Sequence, residues 1–203
     1  MIKRILCVLV LAALVAGGAF AQFQMSAGFG MGVFPILGGG LDYTGKKTEF
    51  PMLAVDLYGF FDATLAEASI GLVLGLPPKS ETFGISFSLI GKYPLRLNQS
   101  ITFFPAVGID YQSVFAGYVS GTGEKIGSSI NSEEPENSEN SALWFKFGAG
   151  LDYNINYDMY LRLTALYGVR LPNKFEQDRI DTSGATYVLG HGITIKLGLG
   201  FRF

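Results

Sequence analysis

One histidine, His191, and one cysteine, Cys7, are the chain's whole supply of imidazole and thiol. Cys7 lies within the apolar run Ile5 to Val15 rather than at its end, where an acylated cysteine would stand. Disulfide and thiolate chemistry are therefore not expected of the rest of the chain. His191 opens an alternating segment, and the next residue on its face, Ile193, offers no nucleophile, while Ser183 sits in the preceding loop. That spacing assembles no nucleophile–base pair. "GFGMG" (28–32) and "GLGF" (198–201) fall inside alternating segments rather than at strand-to-helix turns, so neither reads as a phosphate loop. No catalytic residue, cofactor site or metal site is expected. The chemistry-bearing groups that remain are charges: Asp56, Glu67, Asp110 and Asp152 against Lys146, Arg162, Arg170, Lys196 and Arg202, all on one parity of their segments. Such charges, if enclosed, must pair, because an isolated buried ion is costly.

What encloses them is set out along the chain. The start, MIKRILCVLVLAALVAGGAFAQ, has Lys3 and Arg4, a short apolar run and the small-residue site Ala19-Phe20-Ala21. This is the layout of a cleavable signal peptide over residues 1–21. The run is about 11 residues, against the roughly 20 that a spanning helix requires. Taking 21 residues from 203 leaves 182 for one domain, 22–203, and losing two basic groups turns the net charge from −2 to −4. That mild acidity argues against a nucleic-acid partner, which would need a basic stripe.

The rest of the chain reads with period two rather than 3.6 and without helices. Eight segments alternate, at about 23–33, 51–61, 65–76, 82–93, 101–118, 142–154, 158–170 and 191–203. In the second, Leu53, Val55, Leu57 and Phe61 oppose Asp56, Tyr58 and Phe60; in the sixth, Leu143, Phe145, Phe147 and Leu151 oppose Trp144, Lys146 and Asp152. Pro105 cannot donate a ladder hydrogen bond and predicts a bulge or strand start. An even number of strands with one apolar and one polar or glycine face is the pattern of a transmembrane barrel. Closure would leave no unpaired edge in hydrocarbon.

Parity does not distinguish inside from outside, but three other features do. Connections alternate: 62–64, 94–99 and 154–157 are short, whereas 34–50, 119–141 and 171–190 are long, with 77–81 the exception. Aromatic residues gather near segment ends (Phe23, Phe34, Phe61, Tyr93, Tyr118, Tyr153, Tyr157, Phe201, Phe203), as interfacial girdles require. The sequence finishes on the strand "ITIKLGLGFRF" itself.

That last strand, through Ile193, Ile195, Leu197, Leu199, Phe201 and Phe203, resembles the C-terminal insertion signal of bacterial outer-membrane barrels. The resemblance implies recognition by the barrel-assembly machinery, with the terminal aromatic at the periplasmic interface. The whole of 22–203 resembles the small eight-stranded outer-membrane barrels, the group that includes the OmpA barrel domain, OmpX and OmpW, in architecture rather than in a diagnostic motif. No appended periplasmic domain is expected. The expected fold is all-β: a transmembrane, eight-stranded, antiparallel up-and-down β-barrel in the bacterial outer membrane, both termini periplasmic, surrounded by lipid. The echoes "GGGLDY", "AVGIDY" and "GAGLDY" are read as convergence in glycine-rich strands.

An eight-stranded interior is just wide enough for side chains to fill. The nine charges are accordingly read as a plug of paired groups, with a pore lining as the alternative. Asp152 and Arg162 should face each other across the turn at 154–157, and Asp110 and Lys196 should lie nearer mid-height. "EKIGSSINSEEPENSENS" (124–141) is acidic and too polar to bury itself. Loops 119–141 and 171–190 are the candidate contact surfaces for an extracellular ligand. The functional expectation is a non-enzymatic barrel contributing to envelope integrity or surface interaction. The alternative that the resemblance to OmpW implies is a narrow channel for small or hydrophobic solutes. Lipid-modifying barrels of this size, which use a His–Ser pair on the lipid face, supply a less favoured third reading.

Overall fold

The computed structural model describes residues 24–37, 40–42, 51–76, 80–119, 125–126, 141–172, 174–184 and 186–203. The proposed signal segment lies outside them. In chain order the elements are β1 (Met25–Leu37), β2 (Gly40–Asp42), β3 (Pro51–Ala63), β4 (Ala66–Leu76), β5 (Ser80–Lys92) and β6 (Leu95–Arg96). They continue with β7 (Ile101–Val119), β8 (Lys125–Ile126), β9 (Ser141–Asn154), β10 (Met159–Leu171), α1 (Lys174–Ser183), β11 (Thr186–Val188) and β12 (Gly190–Arg202).

The eight long strands close on themselves. Consecutive antiparallel ladders run β1–β3–β4–β5–β7–β9–β10–β12, and β12 returns to β1 through pairs from Ser26↔Arg202 to Ile36↔Gly192. Leu, Ile, Val and Phe at every second position favour such pleated ladders, and asparagine side chains shape two of the short turns between them. In the turn at 155–158, the Asn156 side-chain oxygen accepts from the N–H groups of Asp158 and Met159. Asn98 does the same for Ser100 and Ile101. Thr64 is held at φ 61°, a left-handed conformation unusual for a β-branched residue. Its hydroxyl exchanges hydrogen bonds with the Gln24 backbone, tying the first strand to the β3–β4 turn.

Burial is inverted relative to a water-soluble domain. Phe29, Met31, Leu57, Ile70, Phe87, Leu89, Phe147, Leu163 and Leu197 are exposed on the outer face, whereas Asp56, Asp110, Lys146, Arg162 and Lys196 are buried within. A continuous apolar outer band around a polar interior is the solvent preference of a barrel in lipid. No helix among the described residues is long and apolar enough to cross a membrane. The strands make the crossing.

Four features depart from the expectations above. Pro105 sits inside an unbroken β7 with no bulge; its carbonyl accepts from Tyr93 N–H at 3.2 Å, beyond the last β5–β7 pair, Lys92↔Ala106. Its missing donor therefore falls where the neighbouring ladder has already ended, and the sheet loses little. The irregularity lies instead between Phe83 and Gly84, opposite Ala116 and Val114. The chain is not helix-free: α1 and β11 occupy the 171–190 connection, and β11 pairs with β2 from the first long connection. Phe34 is not a girdle residue. The 34–50 connection begins later than expected, and Phe34 points inward, 3% exposed, against Trp144. Of the other girdle aromatics, Phe61, Tyr93, Tyr153, Tyr157, Phe201 and Phe203 are exposed at the short-turn end, with Phe61 and Phe203 in ring contact. Phe23 and the Tyr118 side chain lie outside the described residues.

Inward glycines make the lumen habitable. A Cβ on Gly200 would meet the Tyr160 ring, and one on Gly150 the Phe104 ring. Rigid rings do not yield as a flexible side chain would. Gly200→Ala should therefore lower stability by about 1–3 kcal/mol through overpacking; a closed barrel is expected to resist detergent and migrate faster on a gel when unheated, and the temperature at which that fast band is lost should fall. An unchanged midpoint would mean that Tyr160 has room to move.

Candidate functional site

The charged lumen separates into two tiers. Near the short turns, Arg162 on β10 lies across the ladder from Asp152 on β9. Its guanidinium takes Asp152 in a two-pronged grip, Nε to Oδ1 and Nη2 to Oδ2, both at 2.7 Å. The same Nη2 is 2.6 Å from Asp62 Oδ2, and Nη1 pairs with Glu67. Lys92 completes the tier, bonded to Asp62 and 3.9 Å from Glu67. Three carboxylates thus face two cations, all buried. The planar fork of arginine suits this task, since it can serve several carboxylates from one rigid group. Phe60, Phe104 and Tyr160 place their rings 4.9–5.2 Å from the guanidinium carbon. Cation–π attraction thereby replaces part of the lost hydration.

Closer to the long loops the charges form two separate pairs. Lys146 bonds Asp110, which also accepts from Gln112 at 3.1 Å. Lys196 lies 3.0 Å from Asp56, which accepts from the Ser86 hydroxyl at 3.4 Å. Each ammonium sits over a ring, Lys146 over Phe34 at 4.5 Å and Lys196 over Tyr58 at 4.4 Å. Phe34 in turn packs edge-on against Trp144, with ring centroids 4.8 Å apart. Ile90, Phe104, Ala106 and Leu166 form an apolar cluster, also inward-facing. Trp144, Leu166, Thr194 and Asp110 are each 2% exposed or less.

Seven of the nine anticipated charges (Asp56, Glu67, Asp110, Lys146, Asp152, Arg162, Lys196) come together in these two tiers. Arg202 stands apart at the turn-end mouth, where it bonds Asn154 and stacks on Tyr160 at 4.6 Å. Arg170 lies towards the long loops, half-buried, in register with Trp144 and Gly190. Sequence reading missed Asp62 and Lys92. Asp62 falls in the 62–64 turn of that reading and Lys92 inside the 82–93 segment without being counted among the charges, yet both continue the inward parity of Asp56-Tyr58-Phe60 and Ser86-Ser88-Ile90. Following the alternation to its last residue would have found them.

Below the lower tier the barrel opens into a vestibule of about 1280 Å³, lined by Lys92, Arg96, Asn98, Asn154, Arg162 and Arg202 among others. On the outer face, His191 is cross-strand to Val169 and 6.1 Å from the Tyr167 ring. The residues of the C-terminal segment, Ile193, Ile195, Leu197, Leu199, Phe201 and Phe203, all face outward on β12 and just beyond it. No cluster of metal-ligating residues occurs among the described residues.

The sequence matches no family model and no curated protein. Solved structures do match. Neisserial surface protein A superposes with a TM-score of 0.53 at 8% identity, over 88% of this chain and 97% of that one. Ail, the attachment invasion locus protein of Yersinia pestis, gives 0.44 at 14% identity, over 90% and 100%. The outer membrane protease OmpT from Escherichia coli gives 0.33 at 10% identity, over 90% and 99%. The first of these, at 8% identity, speaks to fold alone, and that fold agrees with the inverted burial seen here. The chain has the fold of a small outer-membrane β-barrel. Its apolar outer band is of the kind that suits lipid, and in outer-membrane barrels the short turns face the periplasm and the long loops the exterior.

Proposed function

We propose that this barrel is a non-enzymatic, non-conducting anchor in the outer membrane that presents its long loops at the cell surface, in envelope integrity or surface interaction. The observation that supports this is the filled lumen: two tiers of paired charge, with Trp144 and Phe34 packed across the interior towards the loops. Eight-stranded interiors hold side chains rather than a water column. The absence of catalysis is part of the proposal. His191, the lone imidazole, faces outward beside Val169 and Tyr167, and this pairing supplies no serine or threonine to activate among the described residues. Recognition of the C-terminal strand by the assembly machinery, and ligand contact through loops 119–141 and 171–190, complete the reading.

A second reading, the narrow channel for small or hydrophobic solutes, draws on the vestibule, which already opens the turn-end part of the barrel. One measurement separates them. Single-channel recording in planar bilayers should show a silent membrane for the unmodified protein. Lys196→Ala frees Asp56 from its cation and should introduce intermittent leak. Steady discrete openings in the unmodified protein would establish the channel instead.

A further inference from the structure

The vestibule carries two cationic groups that the lumen does not use. Lys92 and Arg162, in its floor, are engaged by Asp62, Glu67 and Asp152. The two arginines at the mouth are different. Among the described residues Arg202 donates to neutral oxygens, the Asn154 side chain and, at 3.4 Å, the Tyr157 carbonyl. Arg96, on the inward parity of β6 opposite Thr102, is exposed and has no hydrogen bond or ion pair among the described residues. Both line the same cavity, interleaved with Gln24, Asn98, Gln99 and Asn156.

Asn154 fixes the arrangement. Its oxygen accepts from Arg202, its amide nitrogen donates to Gln99 carbonyl at 3.1 Å, and its backbone N–H donates to Ser100 carbonyl at 2.7 Å. Arg202 is thereby pinned to the hairpin that carries Arg96. Tyr160, which bonds Ser26 at 2.7 Å, supports the guanidinium from below. Arg202 is thus pre-oriented, with no carboxylate paired to it among the described residues, and pre-orientation lowers the entropy lost on binding.

We propose that this periplasm-facing vestibule binds a small solute bearing a phosphate or carboxylate group, held between Arg96 and Arg202 with the surrounding amides as neutral donors. Planar guanidinium groups match both oxyanions, in two-pronged fashion. The cavity, about 1280 Å³, exceeds the roughly 300–1,000 Å³ of ordinary small-molecule pockets. It therefore has room for more than the anion itself. The floor, with three carboxylates against two cations, repels a second negative charge and keeps the anion at the mouth. This inference goes beyond the anchor reading and holds whether or not the lumen conducts.

The test is a titration of the full detergent-solubilised barrel with inorganic phosphate, and separately with acetate, following the arginine guanidinium resonances by NMR. Saturable shifts of Arg96 and Arg202, with Arg162 unmoved, are expected. The arm that saturates at lower concentration identifies the preferred oxyanion. Arg96→Gln, which removes an exposed group without internal bonds, should weaken binding about tenfold, roughly 1.4 kcal/mol. Arg96→Gln/Arg202→Gln should abolish saturation while the unheated protein keeps its fast gel mobility. Shifts that rise linearly with either anion, or saturation that survives in the folded double variant, would overturn the proposal.

Discussion

Arg162→Ala should leave the barrel unable to hold its folded form through ordinary detergent extraction. The substitution removes the one group that contacts Asp62, Glu67 and Asp152 together, and leaves Lys92 alone among three buried carboxylates. Breaking a buried pair from one side costs about 3–5 kcal/mol, and here three pairs share the lost partner. A native margin of about 5–15 kcal/mol does not absorb that comfortably. The expected result is loss of the fast-migrating unheated band, or a thermal midpoint lowered by well over ten degrees. Arg162→Lys should recover only part, because a point charge cannot reproduce the two-pronged grip on Asp152. An Arg162→Ala protein as heat-resistant as the parent would show that the lower tier contributes nothing to closure.

The second large effect concerns Lys146. With Lys146→Ala, Asp110 keeps Gln112 as a partner but loses its cation, and its other carboxylate oxygen already has no hydrogen bond among the described residues. About 3–5 kcal/mol of destabilisation follows from the same one-sided breakage. Replacing both members, as Lys146→Met/Asp110→Leu, should restore most of the loss, since apolar groups of similar volume often match or exceed a buried ion pair. Thermal melts of the three proteins check this. If the double variant is no more stable than the single, the pair is doing something other than mutual neutralisation, and Phe34 under the Lys146 ammonium is the first place to look.

How much of this the sequence disclosed depends on the range of the interaction concerned. Strand alternation is a local property, so the eight segments and the inward parity of Asp56, Lys146 and Lys196 were readable from spacing alone. Which cation meets which carboxylate is not local: Arg162 reaches Glu67 across 95 positions and Lys146 reaches Asp110 across 36. Barrel closure and stagger set those encounters, and no spacing rule contains them. Only the Asp152–Arg162 pair, ten positions apart across a short turn, was legible. Pro105 misled because its cost depends on the neighbouring ladder's length. Phe34 misled because an aromatic near a strand end serves equally as a girdle or as a lumen ring. α1 escaped notice since its composition is that of a polar loop, without an apolar stripe to mark a helix.

The central claim is that the outer face meets lipid while the interior is filled, and the chain supplies its own probe. Trp144 is the only tryptophan in the sequence, and it stands inside the barrel, 1% exposed, against Phe34. Its fluorescence in vesicles should therefore be quenched neither by acrylamide in the water nor by brominated acyl chains in the bilayer. Quenching by the brominated lipid would place Trp144 on the outer face and reverse the parity of every strand. Strong quenching by acrylamide in the folded protein would mean that water reaches the lumen, and the plug would be an open path.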